Sequence, residues 1–372
     1  MKIAVFFTYD YSIQSLKNAG LFERELKIYE KLQNKFGLKF IFFTYDEILP
    51  KEDKYDKFEF ISLYSLTKKP KNKILRIIKS IFLPFKILKH TSNVDVIHQH
   101  QLLGSWIPLT IKLIQKKPVL IRTGYDAYLF SKLNNEKRYL IYFYKALTNF
   151  SLRYSDLYTV TSQSDLDFLI KEFSINPTKI KIVPNWIEKI KSINNSRIDD
   201  RILMVGRLES QKNYPLVFEF LENTKLNLEI DVYGSGELLY ELESSKINKN
   251  LKINFLGNKK YIDLQNEYKK YKYFLTTSVF EGNPKTILEA QNNGCIVIAS
   301  NIKNHSELIK HGKNGFLFES IEEIEEILNY CNDNKEISHK FYKINQSLLS
   351  KNDIENISNE MYMDYKVLVE SK

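Results

Sequence analysis

Short apolar runs of four to six residues recur along this chain, separated by longer stretches in which apolar positions repeat every three or four residues. The first kind of run suits a strand buried on both faces, and the second suits an amphipathic helix. In the first half the pattern predicts strands at Ile3–Phe7, Phe40–Thr44, Val94–His98, Val119–Arg122, Leu157–Thr161 and Ile180–Val183. Helices are predicted between them, notably Phe22–Lys35, Ile74–Lys89, Trp106–Gln115 and Asn135–Arg153. The second half repeats the rhythm, with strands at Ile202–Val205, Leu228–Tyr233, Ile253–Leu256, Tyr273–Thr276, Ile296–Ala299 and Phe316–Phe318. Its helices fall near Tyr214–Asn223, Leu238–Lys246, Tyr261–Tyr271, Pro284–Asn293, Ser306–Lys310 and Ile321–Asn332. Strand–helix alternation of this kind predicts an α/β fold of parallel sheets covered on both faces, here two doubly wound, Rossmann-like domains facing across a cleft.

The polar stretch Trp186–Asp200 carries no strand signal and is the expected boundary. The expected division is residues 1–187, residues 188–350, and a final amphipathic helix in 351–372 that returns to the first domain. At 372 residues the chain can build two cores without cross-links. Two cysteines, Cys295 and Cys331, allow one bridge at most and no zinc cage. The apolar run at Ile3–Phe7 is too short for an export signal, and no run is long enough to span a bilayer. The expected location is the cytoplasm, at the inner face of the cell membrane.

Charge changes this picture. The chain carries +10 overall. Residues 1–187 hold 30 Lys+Arg against 17 Asp+Glu, while residues 188–372 hold 25 against 28. The basic excess therefore belongs wholly to the first half. Its densest run, Lys68 to His90, has eight Lys+Arg, no acid, and apolar residues between them. A basic helix with an apolar face suits an anionic membrane interface. The competing reading packs that apolar face on the first domain's own sheet. A nucleic-acid partner is disfavoured, because no stacking module is recognisable.

Ligands of doubly wound sheets bind beyond the carboxyl ends of strands, so chemistry is sought on the loops there. SVFEGNPKTILEAQNNG, Ser278 to Gly294, follows a predicted strand. Asn283 is placed to cap a helix whose first residue is Pro284, leaving the amides of Lys285, Thr286 and Ile287 to face an anion. Glu281 and Glu289 frame that terminus and could accept from sugar hydroxyls, or could equally be two solvated acids. Upstream, VGRLESQKN offers Gly206 for a tight turn and Arg207 and Lys212 as cations for a diphosphate. DVYGSGEL is half of a dinucleotide fingerprint, with Leu239 where a third small residue would stand.

Together VGRLESQKN, DVYGSGEL, INFLGNKK, SVFEGNPKTILEAQNNGCIVIAS and ELIKHGKNGFLF resemble the donor-binding domain of family-4 retaining glycosyltransferases, in that family's order. DVIHQHQLLGSW, SDLYTVTSQSDLDFL and KIVPNWIE match its first domain more loosely. The resemblance implies the GT-B fold and an E-x7-E pair at Glu281 and Glu289. It implies retaining, metal-independent transfer of a sugar from a nucleotide-sugar to a glycan or lipid-linked acceptor, in capsule, O-antigen or lipopolysaccharide assembly. No cofactor and no metal are expected. Arg207 and Lys212 would bind the diphosphate, Glu281 the sugar and Glu289 the ribose. The backbone of Gly282, Asn283, Pro284, Lys285 and Thr286 would cradle the donor, and Asn258 would lie at the base. The family's histidine in the first domain is missing, since that loop is RTGYDAY. Arg122, Tyr125 and Asp126 are the polar groups available in its stead, Asp126 as a catalytic candidate and Arg122 and Tyr125 on the acceptor side with Gly20 and His100. Two other readings remain, a nucleotide-sugar epimerase and a non-catalytic sugar-nucleotide-binding scaffold.

Among the remaining polar residues, His98 is expected to be buried, because His98 and His100 point to opposite faces of a strand. Asp165-x-Asp167 is expected to be the first turn of a helix capped by Ser164, and not a metal motif. His305 and His311 are expected at the surface.

Overall fold

The structure is a computed structural model, described for residues 1–49, 57–124, 126–190, 192–193, 196–249 and 251–371. The chain forms two compact units, Met1–Pro184 with Ile357–Lys372, and Asn185–Asn356.

Among the described residues the first unit is built on seven parallel strands: β1 (Lys2–Phe6), β2 (Lys39–Thr44), β3 (Glu59–Ser62), β4 (Val96–His100), β5 (Val119–Arg122), β6 (Leu157–Val160) and β7 (Ile180–Ile182). Their order is β3-β2-β1-β4-β5-β6-β7. The strands were legible because nearly every residue of β1, β2 and β4 is buried, which needs an unbroken apolar run. β3 was not predicted. It is an edge strand paired on one side, half-buried along most of its length, so no apolar run announces it. Phe6 and Phe43 stack at 4.4 Å across β1 and β2 and head a core that continues through Ile97, Ile121 and Val160.

Among its described residues the second unit has six parallel strands: β8 (Ile198–Val205), β9 (Glu229–Tyr233), β10 (Ile253–Phe255), β11 (Tyr271–Thr276), β12 (Ile296–Ser300) and β13 (Phe316–Phe318). The order is β10-β9-β8-β11-β12-β13. One face packs Ile202, Ile230 and Leu275 beneath Val217 and Phe220, and the other packs Leu203, Phe274 and Val297 beneath Ile287 and Ala290. The strand order reverses between β1 and β4 in one sheet and between β8 and β11 in the other. Those reversals open crevices at strand carboxyl ends.

Three expectations are corrected, and one helix was missed. The units divide between Pro184 and Asn185, ahead of the polar stretch. Trp186 and Ile187 are buried, and Ile187 bridges to Asp353 within the second unit. The helix expected over Ile74–Lys89 is two, Lys73–Ser80 and Leu83–Thr91. Pro84 in the first turn of the second lacks the N–H that a continuous helix would need. Arg138–Tyr154 is preceded by a separate helix, Ala127–Leu133, and Asn135 between them has a left-handed φ of 51°. A helix at Ile337–Leu348 was not predicted.

The last helix, Ile354–Glu370, contributes its residues from Ile357 onward to the first unit. There Tyr365 shares a 2.6 Å hydrogen bond with His98, Tyr362 stacks on Phe36 at 4.1 Å, and Lys181 bridges Glu360 and Asp364. His98 is fully buried, as its strand position required, and burial holds its imidazole neutral. Among the described residues no helix is long and apolar enough to cross a membrane. Cys295 and Cys331 are buried free thiols, pushed by desolvation up to about 11 and about 12.

Candidate functional site

In the second unit, the loops leaving β8 and β11 meet at the reversal of strand order. Gln211 ties them together: its side-chain amide donates to Phe280 O at 2.8 Å, and its main-chain carbonyl accepts from Val279 N at 3.0 Å. Thr277 Oγ1 donates to Lys212 O at 2.6 Å. These bonds bring Lys212 Nζ to 2.6 Å from Glu281 Oε1. Both side chains are almost closed off, at 15% and 11% exposed. Ser278 Oγ also donates to Glu281, at 2.8 Å. Burial pushes the Glu281 carboxyl up, but the Lys212 charge and the two hydrogen bonds outweigh it and hold it below the usual carboxylate range.

Glycine makes this approach possible. A Cβ on Gly206 would lie 2.7 Å from Lys212 Cε, so the lysine stem runs directly over that backbone. Gly234 has φ +154°, and a Cβ there would sit 1.8 Å from Gly206 O. A Cβ on Gly236 would sit 2.3 Å from Leu208 O. The two glycines of the half-fingerprint are therefore required by backbone packing against the 206–208 loop. That requirement accounts for them without a dinucleotide.

The helix beyond Glu281 starts one residue later than expected. It spans Lys285–Asn292 with Pro284 at the N-cap, and its first backbone bond runs from Leu288 N to Pro284 O. The amides of Lys285, Thr286 and Ile287 precede that bond, at the positive end of the helix. Asn283 does not cap it. Its side-chain oxygen instead accepts from Asn185 N at 3.2 Å, while Asn185 Nδ2 donates to Asn283 O at 2.6 Å. Gly282, Asn283 and Pro284 are buried. Glu289, expected either as a ligand contact or as a solvated acid, is 3% exposed, so neither framing carboxylate is a surface residue.

Arg207 is not part of this cluster. It is exposed and pairs with Glu209 at 2.8 Å. Asn258 is also exposed and donates to Ser235 Oγ at 2.8 Å.

His305 corrects an expectation and was missed as a site residue. It is fully buried, and its Nδ1 donates to Ser300 O at 2.8 Å. Ser300 Oγ in turn donates to Ser278 O at 2.6 Å. Desolvation pulls the imidazole down to about 4 against the attraction of Glu281. With Nδ1 carrying the proton, Nε2 is a buried acceptor with no protein partner. Gln211, Ser278 and Asn185 were also missed, although all three stand inside quoted motifs. Only packing shows that they lock the loops. His311 is exposed, as expected.

In the first unit the expected residues are individually engaged. Gly20 has φ 69° just after the helix Ile13–Asn18. His100 Nε2 lies 3.3 Å from Glu25. Arg122 donates to Val183 O at 3.1 Å and Pro184 O at 3.4 Å, and burial lowers its pKa. Asp126 is the buried N-cap of Ala127–Leu133, accepting from Leu129 N at 2.7 Å. Burial raises its carboxyl to about 6 against that bond. Tyr125 lies outside the described residues. Ser162, not Ser164, caps the helix that carries Asp165 in its first turn, and Asp167 falls beyond that turn, accepting from Gln163.

Two family models match the chain side by side. Residues 34–189 match "Glycosyltransferase Family 4", and residues 187–347 match "Glycosyl transferases group 1". An Escherichia coli protein named UDP-Gal:alpha-D-GlcNAc-diphosphoundecaprenol alpha-1,3-galactosyltransferase is 28% identical over 69% of this chain and 70% of its own. A Campylobacter jejuni N-acetylgalactosaminyltransferase, whose named acceptor is a diphospho-undecaprenol glycan, is 28% identical over 70% and 73%. A Staphylococcus aureus capsular polysaccharide biosynthesis glycosyltransferase, CapH, is 27% identical over 63% and 68%. Among solved structures, Anabaena Alr3699/HepE in complex with UDP and glucose superposes with a TM-score of 0.76 at 15% identity, covering 99% of this chain and all of that one. Sucrose-phosphate synthase from Thermosynechococcus elongatus gives 0.79 at 14%, covering all of both chains. At that identity the structural likeness speaks for the fold alone, the two-domain GT-B architecture. The two sequence models adjoin across most of the chain, and the second carries the Lys212–Glu281 cluster: the chain belongs to glycosyltransferase family 4 and is a glycosyltransferase.

Proposed function

We propose that the protein transfers a sugar from a nucleotide-sugar to a lipid-linked glycan acceptor in cell-surface polysaccharide assembly, with retention of anomeric configuration and without a metal. The observation that carries this reading is the Lys212–Glu281 pair, closed off from solvent where β8 and β11 diverge. The names of the relatives from E. coli, C. jejuni and S. aureus support the lipid-linked acceptor and the polysaccharide pathway.

In this reading Lys212, Arg207 and the amides at Lys285–Ile287 meet the donor diphosphate. Glu281 accepts from hydroxyls of the transferred sugar, and Glu289 from those of the ribose. The acceptor oxygen bonds to the anomeric carbon as the bond from that carbon to the diphosphate oxygen breaks. The acceptor attacks on the leaving-group face, so its proton passes to the departing phosphate oxygen and configuration is kept. Negative charge grows on the diphosphate, where fixed cations and the helix dipole stabilise it as a metal would elsewhere. In the first unit His100 and Asp126, at the ends of β4 and just beyond β5, are the acceptor-side groups.

The test is turnover of UDP-, GDP-, ADP- and dTDP-sugars with undecaprenyl-diphosphate-linked acceptors, followed by anomeric analysis of the product. Glu281→Ala should abolish transfer in a folded protein. Full activity in that variant overturns the site. Activity lost on chelation overturns the metal-free reading, and new sugar isomers formed without acceptor would favour an epimerase.

A further inference from the structure

The basic segment after β3 folds with its apolar side turned away from the domain. In Lys73–Ser80 the inward positions are polar. Arg76 pairs with Asp10 and donates to Pro70 O, and Ser80 Oγ accepts from Trp106 Nε1 at 3.1 Å. Ile74, Ile77, Ile78, Ile81 and Phe85 recur at the three-to-four spacing of one helix face, with Leu75 and Phe82 beside them. All seven are between 42% and 69% exposed. A helix that packs on its own core does the reverse. Single exposed apolar residues need no explanation, but a contiguous stripe does.

The charges around the stripe say what covers it. Lys68, Lys71, Lys73, Lys79, Lys86 and Lys89 are exposed, and no acid occurs between Lys68 and His90. The helices Leu83–Thr91, Trp106–Gln115 and Arg138–Tyr154 pack side by side. The last of these adds exposed Tyr139, Tyr142 and Phe143, the residue types that settle at a lipid headgroup boundary. A protein partner for so basic a rim would need to be strongly acidic, whereas an anionic bilayer supplies both the apolar layer and the phosphates.

We propose that the outward face of Lys73–Thr91 is a membrane-docking surface, with Ile74, Ile77, Ile78, Ile81, Phe82 and Phe85 entering the headgroup boundary of an anionic bilayer and the flanking lysines meeting lipid phosphates. Docking here requires no sugar transfer, so it stands or falls separately from the reading of the donor site.

Flotation of the full chain with phosphatidylcholine vesicles, with and without phosphatidylglycerol, tests it. The wild-type protein should float strongly with the anionic vesicles. Ile78→Asn/Phe82→Asn/Phe85→Asn should abolish flotation while leaving the thermal midpoint within a few degrees; where that triple fails to fold, Phe82→Asn alone should weaken flotation. Lys73→Gln/Lys79→Gln/Lys86→Gln should weaken binding to anionic vesicles about a hundredfold, at about fivefold per lysine, and raised salt should do likewise. Three results overturn the proposal. One is a wild-type protein that stays with the pellet, and another is equal flotation of the apolar variants. The third is a wild-type dimer, without flotation, that these substitutions dissociate, which would make the face an interface between copies.

Discussion

Lys212 donates to Glu281 across 69 residues of sequence and 2.6 Å of space, in a pocket that leaves little of either side chain to water. A buried ion pair adds little net stability, because desolvating both charges offsets most of their attraction. Breaking one is a different matter, since the surviving charge keeps its desolvation cost. Lys212→Ala should therefore destabilise the protein by about 3 kcal/mol and raise the Glu281 pKa. Chemical denaturation of Lys212→Ala, Glu281→Gln and the double variant should show the double variant recovering part of the Lys212→Ala loss. Additive losses would mean that the pair is not coupled.

Two glycines should answer differently to the same substitution. At Gly206 an added Cβ meets only the flexible end of Lys212, 2.7 Å away, and the lysine can move. Gly206→Ala should cost about 1 kcal/mol or less yet weaken nucleotide-sugar binding about tenfold, because the ammonium is displaced. At Gly234 the added Cβ meets backbone at 1.8 Å in a conformation that side chains avoid. Gly234→Ala should cost about 3 kcal/mol or more. Thermal melts and a binding titration of both variants separate the two effects.

His305 should impose a pH dependence on stability. Its imidazole titrates near 6.5 when exposed and near 4 in the fold. Above 6.5 it is neutral in both states and contributes nothing. As pH falls toward 4 the unfolded chain takes up a proton that the folded chain refuses, so stability declines across that window, by about 3 kcal/mol in full. His305→Gln should flatten this part of the curve. An unchanged slope between pH 6.5 and 4 would show that the imidazole is not held neutral by burial.

The closing helix should be held chiefly through Tyr365. Removing its hydroxyl leaves His98 Nδ1 buried without its 2.6 Å partner. Tyr365→Phe should cost about 1–3 kcal/mol. Hydrogen exchange should speed up in the last helix from Ile357 onward, and in β4. Loss of protection confined to the second unit would contradict this anchoring.

The two sheets were legible in the sequence because parallel strands buried on both faces leave short apolar runs, here alternating with helix-period stretches. At a sheet edge, where a strand such as β3 is only half-buried, the run disappears and so did the prediction. The 278–294 loop was legible in part for a local reason, since proline fixes φ and favours a helix start whatever surrounds it, while the pairing of Glu281 with Glu289 was read from the family resemblance. Asn283 marks the limit of that reasoning. It is a good cap by type, but a competing partner, Asn185, lies 98 residues away in sequence and claims its side chain.

Pattern and composition by themselves determined the fold class and the concentration of positive charge in the first half, and the resemblance of the quoted motifs supplied the family. Tertiary structure decided which charges meet. Lys212 and Glu281 pair, while Arg207 turns to Glu209, because the bonds of Gln211 and Thr277 set the spacing of two loops. It also decided which way the basic helix faces. Periodicity fixes that one side of Lys73–Ser80 is apolar, and only the anchoring of Arg76 and Ser80 turns that side outward. A sequence records the stripe on a helix, but the partner on its other side sets the direction in which the stripe points.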